Sequence, residues 1–206
     1  MFKISELKKI SHVFNHSFLK AIDVIYKCKG HIICSGVGKS RIIADRTSKL
    51  FSSVGIPSFS ISAQDFSHGD SGAINTKKDI LLVFSYSGDS VELTDLINFS
   101  SRYHVPLIGV ASKKNSLLLK TSDIRIVLPE VTEAGEGGFV PTSSTTMQLA
   151  FGDALAVALM NKKKFNKTGE KKRPDHKLQG RKMAIQEEGK RQYFCLLAAT
   201  TEKTCR

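Results

Sequence analysis

Short apolar runs alternate with amphipathic stretches along most of the chain. Helical spacing of apolar residues occurs in four stretches, at residues 3–27, 40–53, 93–100 and 146–160. Five apolar runs have the length of buried strands, at residues 31–34, 57–61, 80–84, 107–110 and 124–128. Strands that alternate with helices indicate a parallel sheet, and the right-handed crossover rule places helices on both of its faces. We therefore expect the α/β class, with a doubly wound five-stranded parallel sheet sandwiched by helices.

The turn after the third predicted strand carries the clearest chemical signal. Ser85, Ser87 and Ser90 follow the strand, and a helical pattern begins directly after them. The N-terminus of a helix directs unpaired backbone N–H groups and a positive dipole toward one place, so this turn predicts a bound phosphate ester. A plain helix start is the alternative, because Asp89 and Glu92 have the spacing of a capping box.

A second turn lies at the end of the first predicted strand, where Ser35 and Gly36 lead into Gly38 and Lys39. It is neither a Walker loop, which needs glycine at position 33, nor a dinucleotide fingerprint, which needs glycine at position 41. Ligands of doubly wound sheets bind beyond the carboxyl ends of the strands, so we expect Ser35, Gly36 and Lys39 at the ligand. A solvated lysine in the first turn of a helix is the alternative.

Two more loops at the same edge of the predicted sheet carry polar groups. The loop after the second strand contains Asp65, His68 and Asp70, although each alone would be an ordinary surface residue. Residues 130–138 are acidic and rich in glycine, and five consecutive hydroxyl residues, 142–146, then precede the last helix. One hydroxyl is enough to cap a helix, so the excess indicates contact with a sugar or a phosphate.

Composition limits the function classes. Most of the net charge of +12 belongs to residues 161–206, which hold 14 Lys and Arg against 5 Asp and Glu, so we expect no nucleic-acid partner for the domain. No apolar run approaches the roughly 20 residues that cross a bilayer, and the N-terminus has no signal-peptide core. We therefore expect a cytoplasmic protein without a membrane partner. The four cysteines lack metal-binding spacing, and Cys34 is expected to be a buried thiol.

Five motifs follow one another between residues 5 and 164: Gly-Val-Gly-Lys-Ser, His-Gly-Asp, Ser-Tyr-Ser-Gly-Asp-Ser-Val-Glu, Val-Pro-Leu-Ile, and Pro-Thr-Ser-Ser-Thr-Thr with Gly-Asp-Ala-Leu-Ala-Val-Ala-Leu behind it. In this order and spacing they resemble the sugar isomerase (SIS) domain, specifically the bacterial arabinose 5-phosphate isomerases. That family interconverts arabinose 5-phosphate and ribulose 5-phosphate and supplies the Kdo sugar of lipopolysaccharide or capsule. The resemblance implies a flavodoxin-like SIS domain at residues 1–164, followed by a basic, divergent tail at 165–206.

The resemblance also implies roles for individual residues. Lys39, Glu92 and Glu133 match the catalytic lysine and glutamates of the family. The sugar and phosphate site is implied to consist of Ser85, Ser87, Ser90, Ser143 and Thr145. His68 matches a histidine near the site that is sometimes associated with inhibitory metal, while no metal and no cofactor is required. Family members are homo-oligomers, so a tetramer or a dimer is expected.

The chemistry of an aldose–ketose isomerase suits these residue types. A base must remove a proton beside a carbonyl and return it to the neighbouring carbon. Glu92 or Glu133 can do so if burial raises its pKa toward neutrality, and the residues do not decide between them. Lys39 would stabilise the enediolate oxygen.

The C-terminal region departs from the family. Members carry a Ser-His-Pro-Gly-Gly segment whose histidine completes the active site, but alignment on Gly180-Arg181-Lys182 puts Pro174 at that position and His176 two positions away. We expect no regulatory CBS modules after this region, as in shorter members. We expect an arabinose 5-phosphate isomerase. The alternative is a catalytically impaired SIS module that binds a sugar phosphate as a sensor or persists as a degenerate remnant.

Overall fold

The expected five-stranded parallel sheet is present, with the strand order β2-β1-β3-β4-β5. The structure is a computed structural model that describes residues 4–163, so the predicted tail, including Pro174 and His176, lies outside the described residues. The strands are β1 (Ile32–Gly36), β2 (Ser58–Ser62), β3 (Ile80–Phe84), β4 (Leu107–Ala111) and β5 (Ile124–Val127). All five predicted strands are confirmed, with boundaries shifted by at most two residues.

Residues 4–163 also form six α-helices: α1 (Ile4–Lys8), α2 (His16–Lys27), α3 (Lys39–Ser53), α4 (Thr94–Tyr103), α5 (Leu117–Thr121) and α6 (Ser143–Lys162). The helical spacing over residues 3–27 corresponds to two helices rather than one. Asn15 separates them, because its side chain accepts a hydrogen bond from Ser17 N at 2.9 Å and so caps α2. None of the helices in this part of the chain combines the length and apolar character needed to span a bilayer.

Two apolar layers cover the sheet because successive strand residues point to opposite faces. Ile32 and Cys34 face α2, α3 and α6, while Ile33 and Leu81 face α4 and α5. The expected burial of Cys34 is confirmed, and that burial raises the pKa of its thiol. With both faces covered, each central strand is apolar throughout, which explains why the strands are readable in the sequence.

The connections place one edge of the sheet at a topological switch point. The chain leaves β1 through α3 toward β2 on one side, and it leaves β3 through α4 toward β4 on the other. Gly36 is the register partner of Phe84, so the turns after β1 and β3 start side by side. Ligands of doubly wound sheets bind at such crevices. Two segments lie at this edge: the hydroxyl turn, residues 85–90, and the acidic segment, residues 129–142.

Candidate functional site

The turn after β1 brings the backbone close to its neighbours. A Cβ atom on Gly36 would lie 2.7 Å from the carbonyl oxygen of Phe84, so only glycine fits beside β3. Gly38, at φ +57, is the N-cap residue of α3, and the first residue of the helix, Lys39, is exposed. Ser35 is fully buried, and its Oγ donates to the carbonyl oxygen of Ile61 at 2.9 Å. Lys39 is thus presented beyond the strand end, whereas the Ser35 hydroxyl is engaged within the sheet.

Lys39 lines a surface cleft with a volume of about 650 Å³. The cleft is lined by the start of α3 and by β2, through residues Gly38, Lys39, Arg41, Ile42, Asp45 and Ser60. Asp45 accepts hydrogen bonds from Lys49 and from Ser60, which together hold the pKa of its carboxyl below the usual range. Two cationic side chains therefore share this cleft with one carboxylate that is already paired.

The hydroxyl turn folds around the side chain of its first residue. Ser85 Oγ accepts a hydrogen bond from Gly88 N at 3.1 Å and lies 3.4 Å from Ser90 Oγ. Gly88 has φ +73, and a Cβ atom there would lie 2.3 Å from Ser116 Oγ. Ser87 Oγ accepts a longer bond of 3.4 Å from Asp89 N. The three predicted serines are therefore gathered in one turn at the carboxyl end of β3.

The predicted capping box is wrong. The Asp89 side chain does not turn back on its own helix, because its Oδ1 accepts from Leu117 N, the first residue of α5, at 2.9 Å. Ser90 precedes the 3₁₀ turn Val91–Leu93 without a side-chain cap. Glu92 is exposed and makes no hydrogen bond or ion pair within residues 4–163. Its carboxylate is therefore not occupied by a capping role.

Glu133 caps the last helix. Its Oε2 accepts from Thr142 N at 2.8 Å and from Ser144 N at 3.2 Å, and also from the Thr142 hydroxyl at 3.1 Å. Burial alone would raise the pKa of Glu133, but the bonds from Ser144 and Thr142 outweigh it and hold the pKa below the usual glutamate range. Glu133 therefore does not meet the condition that burial raise its pKa toward neutrality.

The hydroxyls before α6 mostly serve the helix itself. Thr145 Oγ1 donates to the carbonyl oxygen of Thr142 at 2.9 Å, as does Thr146 Oγ1 at 2.8 Å. Ser143 is fully buried, and within the described residues its Oγ has no hydrogen-bond partner. A sugar contact by Ser143 or Thr145 stays a prediction.

His68 ends the 3₁₀ turn Phe66–His68, is exposed, and precedes Gly69 in the left-handed region at φ +117. In the part of the chain that the structure describes, no hydrogen bond or ion pair joins His68, Lys39, Glu92 and Glu133 to one another. No group of three or more His, Cys, Asp and Glu side chains within residues 4–163 is placed to hold a metal ion. The four residues follow four different strands of the sheet, and each belongs to a separate segment of the chain.

Sequence reasoning missed three residues at this edge: Arg41, Ser116 and Thr142. Ser116 caps α5 and lies against Gly88, and it follows β4 directly before an apolar run, a pattern that could have identified it. Thr142 was seen only as one of five hydroxyls, because its partner Glu133 is nine residues earlier and no local motif has that spacing.

Comparisons with known proteins agree with this geometry. The SIS domain family matches residues 24–158. Proteins named arabinose 5-phosphate isomerase KdsD are 37% identical over 159 residues in Escherichia coli strain K12 and 38% in Yersinia pestis, covering 77% of this chain. The chain spans about half the length of these curated relatives, 48%.

Among solved structures, c3406 of E. coli CFT073 in complex with arabinose 5-phosphate superposes with a TM-score of 0.73 at 33% identity, covering 79% of this chain and 88% of that one. The family model matches residues 24–158, and this range contains all five strands of the sheet and the turns at its switch point. The chain belongs to the SIS domain family.

Proposed function

We propose that this chain is the isomerase domain of an arabinose 5-phosphate isomerase, with the domain at residues 1–164 and a divergent tail after it. The observation that carries the proposal is the hydroxyl turn beside the glycine turn at the switch point, in a chain 37% identical over 159 residues to enzymes of that name. Arabinose 5-phosphate is also the ligand of the similar protein c3406.

The phosphate of the substrate is proposed to bind the hydroxyl turn. Ser85, Ser87 and Ser90 offer hydroxyls within one turn, and the backbone that leads into α4 offers N–H groups. Ser35, Gly36, His68, Ser143 and Thr145 complete the proposed substrate site at the same edge of the sheet. Sites of this kind hold a phosphate without a metal, and the proposal includes no cofactor.

The proposed reaction is a proton transfer between C2 and C1. A carboxylate takes the C2 proton of the aldose, the electron pair forms a C1–C2 double bond, and O1 becomes the enediolate oxygen. Lys39, which is exposed at the start of α3, is proposed to stabilise that charge. The proton of O2 then passes to O1, and the carboxylate returns its proton to C1, which gives the ketose with its C1 hydroxyl. The two candidate bases are Glu92 and Glu133. The Glu92 carboxylate makes no hydrogen bond within residues 4–163, and in Glu133 it is Oε2 that accepts the bonds from Thr142 N and Ser144 N.

The decisive experiment measures conversion of arabinose 5-phosphate to ribulose 5-phosphate by the full chain. Lys39→Ala is expected to lower kcat by about 10²–10³-fold, the usual cost of losing one group that stabilises an oxyanion. Lys49→Ala is the matched control on the same helix, because the Lys49 side chain is 74% exposed and its one ion pair within residues 4–163 is with Asp45. Equal isomerase activity of wild type and Lys39→Ala would overturn the catalytic role of Lys39. Absence of turnover in wild type would overturn the isomerase function, and saturable binding of arabinose 5-phosphate in that case would indicate an impaired module.

We also propose that the protein is a cytoplasmic homo-oligomer. Phe139 is 89% exposed, Val91 78% and Val140 62%, and all three lie on loops at the carboxyl edge of the sheet. A second copy of the chain would remove this apolar surface from water. Light scattering on wild type and on Phe139→Ser tests it: the variant is expected to have a smaller mass. A monomeric wild type would contradict the proposal.

A further inference from the structure

The first part of the acidic segment, residues 129–134, has no helix or strand of its own, so side chains from elsewhere decide where its backbone lies. Tyr86 supplies one of them. Its hydroxyl accepts from Val131 N at 2.7 Å and lies 3.4 Å from the carbonyl oxygen of Pro129, to which it donates. One phenol oxygen therefore fixes two points of the segment, separated by a single residue.

Helix α1 and the residue that follows it, Lys9, supply the others. Glu6 is buried, and its Oε2 accepts from Thr132 N at 3.2 Å and from Lys9 Nζ at 2.7 Å. Lys9 Nζ also donates to the carbonyl oxygen of Glu130 at 3.2 Å. The backbone is thus held at 129, 130, 131 and 132, the four residues that lead directly to Glu133.

Tyr86 belongs at the same time to the hydroxyl turn, between Ser85 and Ser87. Its carbonyl oxygen accepts both the N–H and the hydroxyl of Ser112, each at 2.8 Å, so its backbone is fixed to the end of β4. Burial raises the pKa of the Tyr86 phenol, and the charges of Glu133 and Glu130 add to this effect. The residue between the phosphate-binding serines therefore touches the segment that carries the glutamate.

We propose that Tyr86 and Glu6 are positioning residues for Glu133, and that Tyr86 couples the hydroxyl turn to the acidic segment. A ligand that orders the turn orders the segment through the Tyr86 hydroxyl, and loss of that hydroxyl leaves Val131 N without its partner. The catalytic part of this inference rests on the proposed isomerase function. The structural part, that these side chains hold residues 129–134, does not.

Tyr86→Phe in the full chain tests the proposal, with Tyr103→Phe as the matched control, since Tyr103 is exposed on α4 on the other face of the sheet. We expect kcat for arabinose 5-phosphate to fall by about 10–100-fold in Tyr86→Phe with KM changed less than about two-fold, because a misplacement of about 1 Å can cost that much. The acid limb of the kcat profile should move to higher pH, because Glu133 released from its N–H donors recovers a higher pKa. Tyr103→Phe should change neither.

Glu6 offers a test by conservative replacement. Glu6→Gln keeps an oxygen that can accept from Thr132 N, whereas Glu6→Leu has none. We expect Glu6→Gln to retain at least half of the wild-type kcat and Glu6→Leu to lose about ten-fold or more. Equal losses in the two variants, or none in either, would overturn the role of Glu6.

Amide hydrogen exchange separates this inference from the proposed function. Exchange in residues 129–134 is expected to be about ten-fold faster in Tyr86→Phe than in wild type, with the strands unchanged. Saturating inorganic phosphate should slow it in wild type and not in the variant. If wild type lacks turnover, the isomerase proposal fails while this measurement still decides whether Tyr86 holds the segment. Unchanged exchange, or faster exchange with unaltered kcat, would overturn the positioning role.

Discussion

The hydroxyl turn and the acidic segment lie at the same edge of the sheet, but they are held in place in different ways. In the turn, Gly88 N reaches Ser85 Oγ across three residues of sequence. In the segment, Val131 N reaches Tyr86 across 45 residues, and Thr132 N reaches Glu6 across 126. The turn combines its internal hydrogen bond with contacts to Ser112, Leu117 and Leu118, whereas the backbone of residues 129–132 is held by side chains at least 43 residues away in the sequence.

This difference matches the proposed division of labour. A phosphate group needs a fixed set of N–H and hydroxyl donors, which a short turn at a strand end provides from neighbouring residues of the sequence. Glu133, one of the two candidate bases, owes its lowered pKa to hydrogen bonds from Thr142 and Ser144, and we propose that its position also depends on the contacts of residues 129–132. Substitutions in the hydroxyl turn and in the acidic segment should therefore change the stability of the folded chain to different extents.

The largest expected effect comes from adding a methyl group to each region. In Gly88→Ala the new Cβ would meet Ser116 Oγ at 2.3 Å with φ at +73, whereas in Gly138→Ala, at φ +63, nothing lies within 4 Å. We expect a loss of about 2–4 kcal/mol in unfolding free energy for Gly88→Ala, from overpacking and backbone strain together. Gly138→Ala should lose only about 1 kcal/mol, from strain alone.

Urea unfolding of both variants at pH 7 measures this. Equal losses would mean that Ser116 moves aside at little cost, and that the hydroxyl turn is no more tightly packed than the acidic segment. A loss confined to Gly138→Ala would reverse the comparison.

A smaller effect is expected from the charge of Glu133. The pKa of Glu133 is lowered in the folded chain. The stability that its charge contributes is therefore fully present above the pKa that Glu133 has in the unfolded chain, and it is lost as the pH falls through the pKa of Glu133 in the folded chain. At pH 7, Glu133→Gln should cost about 0.5–1 kcal/mol, the worth of a carboxylate at a helix N-terminus.

Denaturant titrations of wild type and Glu133→Gln between pH 7 and pH 3 should converge at the acid end. Glu92→Gln is the control at pH 7, since Glu92 is exposed without a hydrogen bond in the described chain, and it should change stability by less than about 0.5 kcal/mol. A constant difference between wild type and Glu133→Gln at every pH would show that the charge does not cap α6.

The sheet and the hydroxyl turn could be predicted from sequence because the physics there is local. Strands buried on both faces are continuous apolar runs, and the serines follow one of them directly. The role of Asp89 could not be predicted in this way. The spacing between Asp89 and Glu92 fits a capping box, but the Asp89 carboxylate instead accepts a hydrogen bond from Leu117 N, 28 residues later in the chain. A local motif was present and a tertiary contact replaced it.

The lowered pKa of Glu133 was missed for a similar reason. The apolar pattern placed the start of the last helix at residue 146, whereas α6 begins at Ser143. The earlier start brings the N–H groups of Thr142 and Ser144 to the Glu133 carboxylate. The contacts of Glu6 and Tyr86 have no sequence pattern at all, because they join elements that are adjacent only once the sheet has formed.

The smallest predicted effect concerns how the hydroxyl turn is connected to α5. Asp89 has two contacts, a hydrogen bond of 2.9 Å from Leu117 N and an ion pair of 4.0 Å with Lys113 Nζ, in which both side chains are about half exposed or more. Exposed ion pairs contribute little, while capping a backbone N–H contributes about 0.5–1 kcal/mol. Asp89→Ala should therefore cost about 0.5 kcal/mol in unfolding free energy and Lys113→Ala close to nothing.

Asp89→Asn separates the two contacts, because it keeps an oxygen for Leu117 N and removes the charge that faces Lys113. We expect it to match wild type within the error of urea unfolding in about 0.15 M salt, where exposed charges are largely screened. If Asp89→Asn and Lys113→Ala were each as destabilised as Asp89→Ala, the contact would be an ion pair rather than a cap. The hydroxyl turn would then depend on a distant charge, as the acidic segment does on Glu6, and the contrast between the two regions would become one of degree.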